Sequence, residues 1–254
     1  MADAVPLPYH RAHGKAPGES YAKKRDSLEE YFDRTAADAW RTLTSDEKVS
    51  KIRATVRAGR EEMRALILSW LGEDLESHRV FDAGCGTGAL AVEAAARGAA
   101  VLAIDVSPTM VGIARERTEN AVPEGTGPQK WRVDFRAGDM VADLDRTVDH
   151  VVAMDSLIHY GLTDIIAALT TWAPHVRRSM VFTIAPRTPM LALMHAVGGL
   201  FPRGHKAPAI APVAPQKLLA AIAAEPALQS FQVTRTERVV SGFYTSQAVE
   251  LVRR

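Results

Sequence analysis

The run Val80-Phe81-Asp82-Ala83-Gly84-Cys85-Gly86-Thr87-Gly88 constrains this chain more than any other. A short apolar stretch leads into glycines at alternate positions, and the helix-forming stretch Ala89–Arg97 follows. That order describes a strand turning sharply into a helix. Glycines at such a turn supply positive φ and let the backbone lie against a ligand. The turn is the nucleotide-binding corner of a doubly wound α/β sheet. The rest of the chain can be read for whether it supplies that sheet.

It does from residue 79 onward. Strands are expected at Arg79–Asp82, Ala100–Asp105, Trp131–Arg136, Val148–Met154, Ser179–Ala185, Phe231–Val239 and Ala248–Arg253. Helices fall between them at Ala89–Arg97, from Pro108 toward Asn120, at Asp164–Trp172 and at Gln216–Ala224. Alternation of this kind implies a mostly parallel sheet, and the closeness of the last two strands allows one to run antiparallel. No strand signal precedes residue 79. There, Ser27-Leu28-Glu29-Glu30 has the form of a capping box, with Leu28, Tyr31, Phe32, Ala36, Trp40 and Leu43 at helical spacing behind it. Ser45 can cap a second helix, which Gly72 ends.

The 254 residues suit one α/β domain with an added segment. This divides the chain into a flexible tail (1–25), a helical arm (26–75) and a domain (76–254). A net charge of +1 offers no broad electrostatic footprint for nucleic acid, so none is expected as a partner. The single cysteine, Cys85, precludes an internal disulfide and argues against a cysteine-based metal site. No metal ligands are expected, and a reducing cytoplasm is the natural location. The first residues lack the apolar core of a secretion signal. The longest mostly apolar run, Pro189 to Pro202, is shorter than a membrane span, so any membrane contact would be peripheral.

Which cofactor the loop takes follows from one position. A dinucleotide fingerprint asks for a third glycine where Ala89 stands. Without a pyrophosphate to seat, the loop suits S-adenosylmethionine. Asp82 supplies the acidic residue before the loop, and Gly84, Cys85, Gly86 and Gly88 form its cradle. Asp105, with Val106 beside it, ends the next strand and suits a ribose diol. Asp139 and Met140 follow the third strand, where the carboxylate can accept from an adenine amino group and the thioether can pack on the ring. The fourth strand ends in Met154-Asp155-Ser156-Leu157-Ile158-His159-Tyr160. By the crevice rule this loop faces the ligand too, so His159 is the candidate catalytic group. Asp155 is a candidate for orienting loop or cofactor, and Tyr160 for substrate contact or packing.

These motifs occur together with a Tyr31-Phe32-Asp33…Trp40 segment, Ala185-Pro186-Arg187-Thr188, Gly198-Gly199-Leu200-Phe201-Pro202 and Ser241-Gly242-Phe243-Tyr244. In that combination, over residues 28 to 254, the chain resembles the magnesium protoporphyrin IX methyltransferases of bacteriochlorophyll biosynthesis. The resemblance implies a Rossmann-like class I methyltransferase fold, with seven strands, one of them antiparallel, helices on both faces and an N-terminal helical lid. It implies methyl transfer from S-adenosylmethionine to a propionate of magnesium protoporphyrin IX. It also implies work beside magnesium chelatase, whose porphyrin-binding subunit is a possible handover partner, and contact with the photosynthetic membrane.

A propionate is ionised at neutral pH, so His159 would chiefly position it, or accept a residual proton. Tyr31, Trp40 and Arg57 are candidate lid contacts. A flap at about 187–214 would cover the macrocycle through Met190, Met194 and Phe201, with Arg187, Arg203, His205 and Lys206 flanking it for the second propionate or an acidic lipid. Two departures stand out. Thr44 replaces a tyrosine of the chlorophyll branch, and Arg57-Ala58-Gly59-Arg60 replaces an Arg-x-Gly-His. Two other functions fit the residues: methylation of a quinone or phenol precursor, and non-catalytic carriage of a porphyrin.

Overall fold

The computed structural model describes residues 18–44, 51–121, 133–187 and 209–254. Its strands are β1 (Arg79–Ala83), β2 (Ala100–Asp105), β3 (Val133–Ala137), β4 (Val148–Ala153), β5 (Val176–Ile184), β6 (Phe231–Ser241) and β7 (Tyr244–Arg253). They form one sheet in the order β3-β2-β1-β4-β5-β7-β6. β7 pairs antiparallel to both β5 and β6, and the other pairings are parallel. The helices are α1 (Glu19–Thr44), α2 (Lys51–Leu71), α3 (Ala89–Ala96), α4 (Pro108–Ala121), α5 (Leu162–Trp172) and α6 (Pro215–Ala224).

Alternation along β1 sorts the core into two layers. Phe81 and Ala83 face one layer with Trp172, Leu169 and Ile165 of α5 and Leu218 and Ile222 of α6. Val80 faces the other, with Met63 and Ile67 of α2, Leu90 and Ala94 of α3 and Ala114 of α4. Strand order reverses between β1 and β4, so the crevice at their carboxyl ends is where this architecture binds ligands.

Two expectations from the sequence are corrected. Residues 19–25 are helical, not part of a loose tail. The Gly18 carbonyl accepts the amides of Tyr21 and Ala22, so α1 starts a full two turns before Ser27 and no capping box operates there. The run Ala22-Lys23-Lys24-Arg25 is a good helix former, and Tyr21 is 3% exposed, which ties this first turn to the core. β7 likewise begins at Tyr244, not Ala248, because Ser241 pairs with Tyr244 across a two-residue turn in which Gly242 has φ 56°.

Candidate active site

The loop after β1 is held from behind. The amides of Gly84 and Cys85 both donate to the Ile104 carbonyl, at 2.8 and 3.1 Å. Gly84 has φ 83°, and a Cβ there would collide with the Ser156 side chain, whose hydroxyl donates to the Ala83 carbonyl at 2.7 Å. The β1 and β4 loops therefore touch through a position that only glycine can fill. Gly84, Gly86 and Thr87 line the pocket. Cys85 and Gly88, also expected in the cradle, do a structural job instead. Cys85 packs among the residues under α2 and α3, and burial pushes its thiol pKa up. Gly88 starts α3 and lies against Phe135.

Asp82 lies beneath this loop on the α3 side, behind the residues that line the pocket, and is 2% exposed. Burial, and then the neighbouring charge of Asp105, push its pKa up to about 7 against one opposing amide from Ala91. Its Oδ2 is buried without a hydrogen-bond partner among the described residues. An unpartnered buried acceptor of this kind fits a cationic ligand group. Asp105 accepts from the amides of Gly86 (2.7 Å) and Ser107 (3.0 Å) and also lines the pocket with Val106. Burial raises its pKa, and those two amides oppose the rise. Two oxygens with about four acceptor sites leave room for a diol after two amides.

Asp139 and Met140 complete the wall at the end of β3. The Met140 carbonyl accepts from the Trp172 indole at 3.0 Å, which fixes this loop to the core. Asp139 accepts from the Tyr21 hydroxyl (2.6 Å), Arg25 (2.9 Å) and the Val141 amide (2.8 Å). Burial alone would raise its pKa, but these donors outweigh burial and hold it below the usual carboxylate range. The Ala142 amide also donates to Oδ1, at 3.4 Å, so Oδ2, which accepts from Arg25, keeps a lone pair for an amino group. Glycine cradle, buried anion, diol acceptor and amino acceptor in this sequence fit S-adenosylmethionine.

α1 closes the pocket with a stripe that local sequence patterns do not reveal. Tyr21, Arg25, Leu28 and Phe32 recur at i, i+4, i+7 and i+11 and all line it. Starting the helix at Ser27 hides half of that stripe. Tyr31 is half-buried, edge-on to Phe32 at 5.3 Å, and is not part of the lining, so Phe32 takes the place expected of it. Tyr160 lines the pocket, but its ring stacks on Tyr21 at 4.8 Å, which makes it a seat for α1.

Arg57 is exposed and does not line the pocket, whereas Arg60 does. Helical geometry accounts for the difference. The buried stripe of α2 runs through Gly59, Met63 and Ile67, and at about 100° per residue Arg57 lies roughly 120° round from its centre. Arg60 lies roughly half as far round and flanks the pocket. α2 can settle there because Gly59 faces Tyr244: a Cβ would meet the ring carbon Cδ1 at 2.5 Å. Gly59→Ala is therefore expected to lose about 1–3 kcal/mol of stability by overpacking, although alanine is the better helix former by about 1 kcal/mol. Urea titration measures this, and a stabilised variant would contradict the packing described.

Asp155 has φ 54°, a strained conformation for a non-glycine residue. Its carboxylate accepts from Tyr244 (3.0 and 3.1 Å), Ser246 (3.3 Å) and Thr183 (3.3 Å), and pairs with Arg60 at 3.3 Å. Those partners make it an anchor for the β4 loop, one of the two roles expected from the sequence, and it also lines the pocket. The loop carries His159 into the pocket, 6.3 Å from the Phe32 ring. His159 Nδ1 lies 3.3 Å from the Ala209 carbonyl. A carbonyl only accepts, so Nδ1 carries the proton and Nε2 is left with its lone pair. Burial lowers the imidazole pKa, with Lys24 adding to it and Ala209 and Asp155 opposing, so the ring is neutral at neutral pH.

Arg187 is exposed, donates its amide to the Val213 carbonyl at 3.0 Å and lies outside this pocket's lining. Met190, Met194, Phe201 and most of the expected flap lie outside the described residues, as do the side chains of Trp40 and Thr44. No group of three or more His, Cys, Asp or Glu side chains placed to hold a metal occurs among the described residues.

Residues 153–253 match the family model described as "Magnesium-protoporphyrin IX methyltransferase C-terminus", and residues 80–179 match a general methyltransferase domain. A magnesium-protoporphyrin O-methyltransferase from Rhodobacter capsulatus is 45% identical over 91% of this chain and 97% of its own length. One from Synechocystis is 31% identical over 89% of this chain and 95% of its own. A solved structure of magnesium protoporphyrin IX methyltransferase from Synechocystis, with S-adenosylhomocysteine bound, superposes with a TM-score of 0.76 at 27% identity. It covers 91% of this chain and 100% of that one.

Proposed function

The chain belongs to the magnesium-protoporphyrin O-methyltransferase family, and on that premise we propose how its residues carry out the reaction. It transfers the methyl group of S-adenosylmethionine to a propionate carboxylate of magnesium protoporphyrin IX, giving the monomethyl ester and S-adenosylhomocysteine. The observation that carries this is the near-full-length match to the Rhodobacter capsulatus enzyme.

S-adenosylmethionine, when bound, supplies an electrophilic methyl group on a sulfonium. In our reading Asp105 would hold its ribose, Asp139, Met140 and Val106 its adenine, and Asp82 with Gly84 and Gly86 its methionine end. The acceptor oxygen is already a nucleophile once ionised, so the protein's task is to present it dry and aligned. Burying a propionate raises its pKa and favours the protonated acid. His159, neutral and with Nε2 unprotonated, takes that proton. The resulting Nε2–H then holds the carboxylate by a charge-assisted hydrogen bond. Proton acceptance thereby comes first and positioning follows from it. Tyr21, Arg25 and Phe32 of α1 act as the lid.

A large apolar substrate made elsewhere argues for delivery, not free diffusion. We assign peripheral contact with the photosynthetic membrane and handover from magnesium chelatase to the cytoplasmic protein. The exposed Val240 and Phe243, 55% and 53% exposed at the tip of the β6–β7 turn, support such a contact. No helix among the described residues is long and apolar enough to cross a membrane.

The pH dependence of kcat at saturating cofactor tests the acceptor. A carboxylic acid ordinarily ionises near pH 4.3 and a phenol near pH 10. The rate is expected to be flat above about pH 6.5, and a rate still climbing steeply between about pH 7 and 9 would overturn the carboxylate reading.

A further inference from the structure

The substrate proposed above carries two carboxylates, and only one becomes an ester. We infer that Arg60 binds the carboxylate that is not methylated. This assignment rests on the function proposed above and goes beyond it.

Two cations of the described residues line the pocket, Arg25 and Arg60. Arg25 is already committed, with Nη2 on Asp26 at 2.7 Å and Nη1 on Asp139 at 2.9 Å. Among the described residues Arg60 has one ion pair, Nε to Asp155 at 3.3 Å, and its side chain is 58% exposed against 9% for Asp155. The guanidinium end of this pair is largely solvated, so turning it to a substrate carboxylate costs little. Asp155 does not depend on it, because the hydroxyls of Tyr244, Ser246 and Thr183 keep the carboxylate satisfied. The contact of Gly59 with Tyr244 fixes α2 so that the next residue overhangs the pocket.

Which carboxylate Arg60 takes follows from chemistry. A guanidinium grips both oxygens of a carboxylate and draws their electron density toward itself. A forked guanidinium contact engages both oxygens and makes each a poorer nucleophile, whereas a single imidazole contact leaves one oxygen unengaged. Arg60 therefore suits the spectator group, and His159 the reacting one.

The test compares wild-type protein with Arg60→Met and Arg60→Lys. Porphyrin binding is measured by fluorescence quenching with S-adenosylhomocysteine present, so that nothing turns over. The ligands are magnesium protoporphyrin IX, its monomethyl ester product and its dimethyl ester. Arg60→Met is expected to weaken the diacid and the monoester alike, by roughly tenfold, and to leave the dimethyl ester unchanged. Arg60→Lys recovers part of the loss, and kcat at saturating porphyrin changes by less than about threefold. Weakening of the diacid alone would place Arg60 on the reacting carboxylate and overturn the assignment. Equal weakening of all three would assign it to packing, and no weakening would remove it from the site. If wild-type protein fails to esterify the diacid, the proposed function itself falls; a wild type that esterifies it while the variant binds normally sinks only Arg60.

Discussion

Asp82→Asn is expected to yield a more stable protein that no longer holds its cofactor. The two effects share one cause. Asp82 is fully buried, and its folded pKa is raised to about 7 from an ordinary 3.8. For an acid raised in this way the folded state holds more protons than the unfolded state between those values. Stability is thus highest below about pH 4, falls as pH rises toward about 7, and stays reduced above it. The span corresponds to a penalty of up to about 4 kcal/mol at about pH 8. Asparagine removes the charge but keeps a buried polar group, so a gain of about 1–3 kcal/mol is expected there. Thermal melts of the ligand-free protein at about pH 4 and pH 8 measure it, and the gain should be lost at the lower pH. Calorimetry with S-adenosylmethionine measures the loss, expected to exceed about a hundredfold for a buried ion pair left without its anion. Wild-type affinity should also be several-fold weaker at about pH 6 than at about pH 7.5, because binding selects the ionised form. A variant that is less stable and binds normally would mean that Asp82 is a structural residue and the unpartnered Oδ2 has no bearing on ligand.

His159→Ala is expected to lower kcat by about 10²- to 10⁴-fold while cofactor affinity stays within about twofold. The separation is possible because the imidazole's own hydrogen bond runs to Ala209, away from the glycine loop. The loop around it is held independently, by Asp155 on Thr183, Ser246 and Tyr244 and by Ser156 on Ala83. Removing the ring therefore leaves the cofactor wall standing. Single-turnover rates and cofactor titrations on the same preparation decide the matter. Equal losses in both would make His159 a support for the β4 loop.

The sequence was most readable where chemistry and fold coincide. Asp82, Asp105, Asp139 and His159 each lie at or just beyond the end of a strand of the parallel sheet, and strand ends converge by topology alone. Period-2 and period-3.6 patterns were enough to locate them. The contributions of α1 and α2 were harder to read. Tyr21 and Arg25 precede an attractive but idle capping pattern at Ser27, and nothing local says that a helix already runs through it. Arg57 and Arg60 are equally plausible cations on one helix, and only the direction of the buried stripe separates them. The place of Asp155 after β4 suits orienting either the loop or the cofactor, and does not say which. Its three hydroxyl partners come from β5 and from β7, 28, 89 and 91 residues away in sequence, and no local pattern predicts such a cluster. Gly59 carries its meaning in the same way, through a tyrosine on a distant strand.

The most direct test of the account follows the methyl group itself. The protein is incubated with S-adenosylmethionine labelled in the methyl carbon and with magnesium protoporphyrin IX, and a parallel reaction contains a catechol instead. The products are separated and treated with alkali. The account predicts one label per porphyrin, released as methanol by saponification, and none on the catechol. Label on the catechol alone, label on the porphyrin that resists alkali, or porphyrin recovered bound and unlabelled would each contradict it.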